Sequence, residues 1–352
     1  MEHQKILVRM PNWIGDLIMA TPVLTDLRKA FPHAEITAMC RTPLCQLLEK
    51  DKAIDELFCF TKPQNGFLRR LDSRDVIAKI QTGKYDLGIL LSNSFSSAWW
   101  FWQGNVKRRI GFAAHWRSFL LTDAVSFPKN RTEQHLVLTY KHLLKPLGIP
   151  LSDTAPRLFV DAKEVEESKQ LLYQRGYTKG KKIIGINPGA AFGMAKCWPP
   201  NRFRALAEKL MKETDAFIVF FGDPSTFSLV KEICSGLPEE RVINLAGVTS
   251  LRELACLIKD CDVLVTNDSG PMHIGAAFGT PLVALFGSTD ETVTGPYGRD
   301  QDVIRKPVSC SPCFKRVCPI DFRCMTRISV DEVAACVLER LSHRGKLGLH
   351  HV

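Results

Sequence analysis

Asp16 stands in the stretch RMPNWIGDLIMATP, residues 9–22, where a carboxylate has two possible jobs. The residues before the stretch, Lys5 to Val8, form a short apolar run that predicts a buried strand. Those after Asp16 place Leu17, Ile18, Thr21, Leu24 and Leu27 at helical spacing. Asp16 therefore follows Gly15 at a strand-to-helix turn. A carboxylate there either caps the helix or, with a hydroxyl in hydrogen-bond reach, takes its proton as a general base.

Three further stretches carry chemistry. NPGAAFGMAKCWP, 187–199, follows an apolar run and precedes a helical one. Its small residues, with Gly189 and Gly193, leave backbone N–H groups accessible, and Lys196 adds a cation, which suits an anion such as phosphate. An ordinary glycine-rich turn with a solvated lysine is the alternative. VTNDSGPMHIGAAFGTP, 265–281, ends a strand at Asn267 and opens a helix at Asp268-Ser269-Gly270. The N–H groups of Ser269 and Gly270 at a helix start make a seat for pyrophosphate. Asp268 does not favourably face that phosphate and instead accepts hydrogen bonds from sugar hydroxyls, unless it or Ser269 merely caps the helix. His273 either donates to the same anion or is a satisfied structural histidine. In FGDPST, 221–226, Asp223 is placed like the acid that holds a ribose in dinucleotide folds, or is a turn aspartate before Pro224.

These loops need strands and helices to hold them. Strands are predicted at 5–10, 35–40, 86–92, 182–188, 216–222, 242–247, 262–267 and 281–287, with amphipathic helices at 16–31, 202–213 and 251–260. Short apolar strands alternating with helices imply parallel sheets covered on both faces. The series restarts near residue 182, after a linker-like SDTAPRLFV at 152–160 and a helix over 163–175. The expectation is two doubly wound α/β domains, 1–155 and 160–330, whose strand carboxyl ends line one cleft. A last helix, 329–341, starts at Ser329 with Glu332 as a capping box, and with the basic tail that follows it makes up residues 329–352. No G-x-G-x-x-G follows the first strand of either domain, and P-loop and G-x-S-x-G patterns are missing. That disfavours NAD enzymes, P-loop ATPases and α/β-hydrolases.

A length of 352 residues fits two domains, and 45% hydrophobic with 24% charged residues is ordinary for a globular protein. The start MEHQKILVRMPNW has no long apolar segment, and no run approaches a membrane span, so a cytoplasmic protein is expected. The formal charge of +10 clusters at Arg69, Arg70 and Arg74, at Lys107, Arg108 and Arg109, around Lys315, Arg316, Arg323 and Arg327, and in the tail RLSHRGKLGLHHV. Such a surface attracts polyanions or simply keeps the chain in solution. Of twelve cysteines, Cys310, Cys313, Cys318 and Cys324 fall in CSPCFKRVCPIDFRC. C-x2-C followed by two more thiols has the count for structural zinc or an iron–sulfur cluster. Redox pairs or reduced structural thiols are the alternatives.

Together, MPNWIGDLIMATP, NSFSSA, NPGAAFGMAKCWP and TNDSGPMHIGAA resemble the lipopolysaccharide heptosyltransferases of glycosyltransferase family 9, and among them the type II enzymes most. The resemblance runs from the first strand to about residue 340. It implies a GT-B fold, an N-terminal acceptor domain and a C-terminal nucleotide-sugar domain. It implies inverting, metal-independent transfer of L-glycero-D-manno-heptose from ADP-heptose to the inner core of lipopolysaccharide, on heptosyl-Kdo-lipid A. Residue by residue, it implies that Asp16 is the general base, that Lys196 contacts phosphate, that Asp268 binds heptose hydroxyls, and that Ser269 and Gly270 hold the pyrophosphate near His273. Gly189 belongs to the phosphate loop. Asp223 stands where some relatives carry a glutamate and is a candidate ribose contact. The departing ADP is stabilised by Lys196 and a helix start instead of Mg²⁺, so no catalytic cofactor is expected.

Asn93, Ser94 and Arg108 are candidate acceptor-side contacts. The acceptor is phosphorylated and lies at the cytosolic face of the inner membrane, so peripheral membrane association is implied and no nucleic acid partner is expected. Cysteine stretches like 310–324 occur in some family members and not in others, which keeps them out of the transfer step. Two rivals remain. One is another GT-B enzyme using a different nucleotide sugar. The other is a basic nucleic-acid-binding protein with a cysteine metal knuckle, which predicts salt-dependent polynucleotide binding and leaves the Asp16, Lys196 and Asp268 loops without a role.

Overall fold

A computed structural model describes residues 5–61 and 73–344. Arg69, Arg70 and the end of the basic tail therefore lie outside the described residues. The chain divides into two compact units, Met1–Phe159 and Val160–Val352.

The first unit is built on β1 (Lys5–Arg9), β2 (Glu35–Arg41), β3 (Glu56–Phe60), β4 (Leu87–Leu90), β5 (Arg108–Phe112) and β6 (Asp123–Val125). They form one parallel sheet in the order β3-β2-β1-β4-β5-β6. The helices around it include α1 (Ile14–Ala30), α2 (Arg74–Gly83), α3 (Phe95–Gln103) and α4 (Leu136–His142). The second unit repeats the winding with β7 (Ile183–Asn187), β8 (Phe217–Phe220), β9 (Val242–Asn244), β10 (Val263–Asn267), β11 (Leu282–Phe286) and β12 (Val303–Arg305). Its order is β12-β11-β10-β7-β8-β9, again parallel throughout. In each unit the chain starts in the middle, winds to one edge, then returns to build the other side. The direction changes between β1 and β4 and between β7 and β10, and such switch points are where open α/β sheets bind ligands.

The expectation of two doubly wound α/β domains is met. The central strands β7, β10 and β11 are buried along their whole length, which is why they read as unbroken apolar runs. Four strands were not anticipated: β3, β5, β6 and β12. β3 and β6 are sheet edges with exposed positions, β12 is an edge of three residues, and β5 opens with two arginines.

The segment at 152–160 does not hang free. Ser152 and Thr154 donate hydroxyl bonds of 2.7 and 2.9 Å to the buried carboxylate of Asp26. Arg157 pairs with Asp51 at 3.2 Å. The strap holds the first unit together up to its boundary at Phe159. In the second unit, α5 (Ala162–Tyr173), α6 (Pro200–Glu213), α7 (Phe227–Cys234), α8 (Leu251–Asp260), α9 (Gly270–Phe278), α10 (Glu291–Thr294), α11 (Arg323–Thr326) and α12 (Val330–Arg344) complete the fold. Capping boxes open α5 at Asp161–Glu164 and α8 at Ser250–Glu253. Ser329 accepts from the N–H of Glu332 at 3.1 Å ahead of α12. This last helix is part of the second core: Val333, Ala334, Val337 and Leu341 join Ile184, Phe220, Val265 and Val283 there. Among the described residues no helix is long and apolar enough to cross a membrane.

Candidate active site

In the first unit, Asp16 lies in the first turn of α1, and the helix cap is Trp13, which makes no side-chain capping bond. Asp16 is therefore not the cap. The N-terminal dipole of α1 favours its charged form. Its Oδ1 accepts a 2.8 Å hydrogen bond from the phenol of Tyr140 on α4. Burial, reinforced by the neighbouring carboxylate, pushes that phenol well above its ordinary value, so Tyr140 remains a donor at neutral pH. Nothing in the sequence reading marked Tyr140. Ahead of Asp16, the buried Arg9 donates to Asn12 Oδ1 at 2.6 Å and lies 4.6 Å from the Phe60 ring centre. Burial lowers its pKa to about 10, which leaves it charged at neutral pH while it orders the loop between β1 and α1.

After β4, Ser94 caps α3 and accepts from the N–H of Ser97 at 3.3 Å. Asn93 Oδ1 accepts from Arg117 Nη2 at 3.1 Å. Arg117 is fully buried and also donates to the carbonyls of Phe112 at 3.0 Å and Ser92 at 2.5 Å. It fastens the loop after β4 to the loop after β5.

Arg108 is elsewhere. It begins β5, at the opposite edge of the sheet, and grips Asp123 with bonds of 3.1 and 2.9 Å. Its neighbours are also committed: Lys107 pairs with Asp86 at 2.7 Å, and Arg109 donates to the carbonyls of Val106 and Leu120 at 2.6 and 2.8 Å. The structure thus gathers Asp16, Asn93 and Ser94 at the carboxyl edge and leaves Arg108 at the amino edge.

In the second unit, β7 leads into the 187–199 loop. At Gly189 a Cβ would stand 2.7 Å from Thr226 Cγ2, so any side chain there must displace Thr226. Gly193 has φ +152° and a Cβ would meet the Arg316 carbonyl at 2.5 Å. The loop then forms a short turn, Met194–Lys196. Lys196 Nζ contacts Asp268 Oδ2 at 2.5 Å, with only 12% and 5% of the two side chains exposed. Thr289, just after β11, donates to the same oxygen at 2.6 Å. Lys196 also lies 5.0 Å from the Phe192 ring centre.

Two asparagines at strand ends tie the loops together. Asn187 donates to Ser269 Oγ at 3.2 Å and to the Gly189 carbonyl at 3.0 Å. Asn267 accepts from the N–H of Trp198 at 3.0 Å and donates to the Pro188 carbonyl at 2.7 Å. Ser269 is the cap residue of α9, but its hydroxyl engages Thr266 and Asn187 and makes no side-chain capping bond. Gly270 begins the helix, and His273 is buried within it. Asp223 is exposed and caps the short turn Pro224–Thr226 through the N–H of Ser225 at 2.7 Å.

Lys196, Asp268, Ser269, Gly270 and Gly189 therefore meet at the switch point between β7 and β10, and Asp223 lies beside them after β8. Chemically, this is a cation and a helix start suited to an oxyanion, next to a carboxylate able to accept from hydroxyls. Thr289 is the member that the sequence reading missed. Its only signal was a GSTD stretch after a strand.

Nothing in the structure points to the structural metal considered for Cys310, Cys313, Cys318 and Cys324. All four line a single cavity of about 130 Å³, together with Ser288, Lys315, Ile320 and Phe322. Yet among the described residues no group of three or more His, Cys, Asp or Glu side chains is placed to hold a metal ion. The thiols stand around a cavity whose wall includes apolar side chains and the cations Lys315 and Arg323. Cys324 is buried, and that burial raises its thiol pKa, the other three cysteines adding to the effect. The segment has a packing role. Arg316 accepts from the N–H of Ala195 at 3.0 Å, and the N–H groups of Cys313 and Phe314 donate to the Ser288 carbonyl at 3.1 and 2.8 Å. It thus braces both the Lys196 loop and the Thr289 loop.

The chain is similar to several known proteins. A lipooligosaccharide heptosyltransferase 2 of Haemophilus ducreyi is 34% identical over 314 residues, covering 86% of this chain and 88% of that protein. A lipopolysaccharide heptosyltransferase 2 of Salmonella typhimurium is 32% identical over the same length, covering 86% and 88%. The solved structure of E. coli ADP-heptose lps heptosyltransferase II superposes with a TM-score of 0.83 at 27% identity, over 97% of this chain and all of that one. The model of glycosyltransferase family 9 (heptosyltransferase) matches residues 74–322, which span the anion loop, the switch-point carboxylate, half of the first sheet and all of the second. The chain belongs to glycosyltransferase family 9, the heptosyltransferases.

Proposed function

We propose that the enzyme transfers L-glycero-D-manno-heptose from ADP-heptose to a heptosyl-Kdo-lipid A acceptor in the inner core of lipopolysaccharide, with inversion, no metal requirement, and Asp16 as general base. The observation that carries the reading is the pairing of Lys196 with Asp268 at the amino end of α9, on the switch point of the second sheet. It supplies a cation and a helix dipole for a diphosphate and an acceptor for sugar hydroxyls in one place. Asp16 occupies the equivalent switch point of the first sheet. The relatives named above, heptosyltransferases 2 acting on lipooligosaccharide or lipopolysaccharide, support the choice of sugar and acceptor.

The steps follow from these groups. A sugar hydroxyl is a poor nucleophile at neutral pH. Asp16 takes its proton as the oxygen attacks the anomeric carbon, and the bond from that carbon to ADP breaks in the same displacement. One displacement inverts the centre and needs one base. Such a base contributes about 10²- to 10⁴-fold in rate. Tyr140 holds the carboxylate in place and, because its phenol stays protonated, does not compete for the proton. Lys196 and the start of α9 stabilise the charge gathering on the departing diphosphate. The acceptor's lipid places the reaction at the cytosolic face of the inner membrane.

Asp16→Asn tests the assignment. It is expected to keep the fold and ADP-induced thermal stabilisation in EDTA while removing most turnover. Transfer at the parent rate refutes the base. Stabilisation by UDP or GDP instead of ADP refutes the donor.

A further inference from the structure

The loop after β5 presents aromatic rings to solvent in a way that needs explaining. Trp116 is 93% exposed and Phe119 is 74% exposed. His115 and Trp116 both have positive φ, 50° and 58°, a conformation that is costly for consecutive non-glycine residues. The residue between the two exposed rings, Arg117, is fully buried and fastened by carbonyls of Phe112 and Ser92. The loop is thus pegged from below, and Trp116 is held outward. Phe119 rests against Phe95 at 6.1 Å between ring centres, so both rings have a fixed base.

Cations flank them. The segment after β6 reaches the same edge of the sheet and exposes Lys129 and Arg131, with Glu133 as its acid. Arg131 lies 4.6 Å from the Phe127 ring centre, and Phe127 stacks at 4.2 Å on Phe112, the last residue of β5. The two segments are therefore joined by a stacked pair at their roots. The whole chain carries a formal charge of +10.

Tryptophan and phenylalanine rings favour the boundary between headgroups and acyl chains, and nearby lysine and arginine are drawn to anionic lipid. The geometry points to Trp116 and Phe119, flanked by Lys129 and Arg131, as an interfacial anchor that seats the first unit on an anionic bilayer. This rests on the proposed reading that the acceptor is a membrane-embedded lipid. The positive charge of the segment after β6 commits the surface to anionic headgroups.

The test is co-sedimentation of the full chain with phosphatidylglycerol–phosphatidylethanolamine vesicles, with no sugar nucleotide and no lipopolysaccharide present. The parent is expected to bind these vesicles, to bind phosphatidylcholine vesicles weakly, and to be released by about 0.5 M salt. Trp116→Ser with Phe119→Ser is expected to lower partitioning at least tenfold. Lys129→Gln with Arg131→Gln is expected to abolish the preference for anionic lipid. Both variants are expected to keep the parent's melting temperature and its ADP-induced shift. Parent chain that stays in the supernatant, or aromatic variants that partition like the parent, overturn the anchor. So does a rise in KM for a water-soluble, deacylated acceptor with partitioning unchanged, which assigns the rings to acceptor sugars. Failure of heptose transfer itself leaves the vesicle result standing, so the two readings fail separately.

Discussion

Replacing Asp268 with asparagine removes the negative half of an ion pair whose side chains are only 12% and 5% exposed. Breaking a buried pair from one side costs about 3–5 kcal/mol, because the partner is left charged and uncompensated. Lys196 keeps some contact with water and lies near the Phe192 ring, so the cost falls to about 2–3 kcal/mol, at or just below that range. The Thr289 hydroxyl retains an acceptor in the amide oxygen, so it adds little. For a unit of this size each kcal/mol moves the melting point by about 2–4 °C. The expected fall is therefore about 4–12 °C in differential scanning calorimetry of the ligand-free protein. Lys196→Met is expected to fall by a similar amount. Lys196→Met with Asp268→Leu and Thr289→Val replaces all three polar groups with apolar ones, and most of the lost stability is expected to return, since apolar substitutes for buried pairs are often neutral. An Asp268→Asn protein melting within about 1 °C of the parent refutes the reasoning. So does a triple variant that is less stable than either single one.

Tyr140→Phe removes one charge-assisted bond to Asp16, worth about 1.5–3 kcal/mol, and is expected to lower kcat roughly tenfold or more with little change in KM; equal kcat values in steady-state transfer assays contradict the positioning role. Gly193→Ala sets a Cβ against the Arg316 carbonyl at a backbone angle that side chains avoid, and is expected to cost about 1–3 kcal/mol and weaken ADP binding, read by thermal shift and titration calorimetry. Glu164 is held below the usual carboxylate range, chiefly by the two bonds of 3.0 and 2.9 Å from Arg252. A depressed pKa gives stability above the unfolded value of about 4.3 and loses it as pH falls through the folded value. Glu164→Gln is therefore expected to be less stable by about 1 kcal/mol at pH 7, with the difference shrinking as the pH falls below the unfolded value; a difference that stays constant on acidification contradicts the assignment.

The elements legible in the sequence are those whose burial is uniform. β1, β2, β4 and the buried strands of the second unit read as short apolar runs because helices cover both faces. β3, with the pattern ELFCF, alternates exposed and buried positions at a sheet edge, and RRIGF of β5 hides its buried half behind two arginines. Three-residue strands such as β6 and β12 are below the length at which a period is visible. The helix FSSAWWFWQ is mostly Ser, Phe and Trp, which are weaker helix formers, and packing of Trp100 and Phe101 in the core overrides that.

The site divides in the same way. Asp16, Gly189, Lys196, Asp268, Ser269 and Gly270 are visible because small and polar residues interrupt apolar runs at strand ends. Tyr140 lies 124 positions from the carboxylate that it binds, and Thr289 lies 21 positions from Asp268, so only the fold pairs them. The 107–109 cluster is legible only in part: its charge is plain in the sequence, but its ion pairs and carbonyl partners are not.

That α12 completes the second core has a consequence for how the protein is made. A ribosome that has just added Phe159 has supplied everything the first unit contains. At about 5–20 residues per second, roughly 10–40 s then pass before Val333, Val337 and Leu341 exist to cover β10 and β11. The nascent chain spends that interval with one half folded and the other unable to close, its apolar strands open to chaperones and to neighbouring chains. A premature stop anywhere between Val160 and Val330 produces the same species permanently. Such truncated products are expected to accumulate as proteolysed or aggregated protein around an intact first unit.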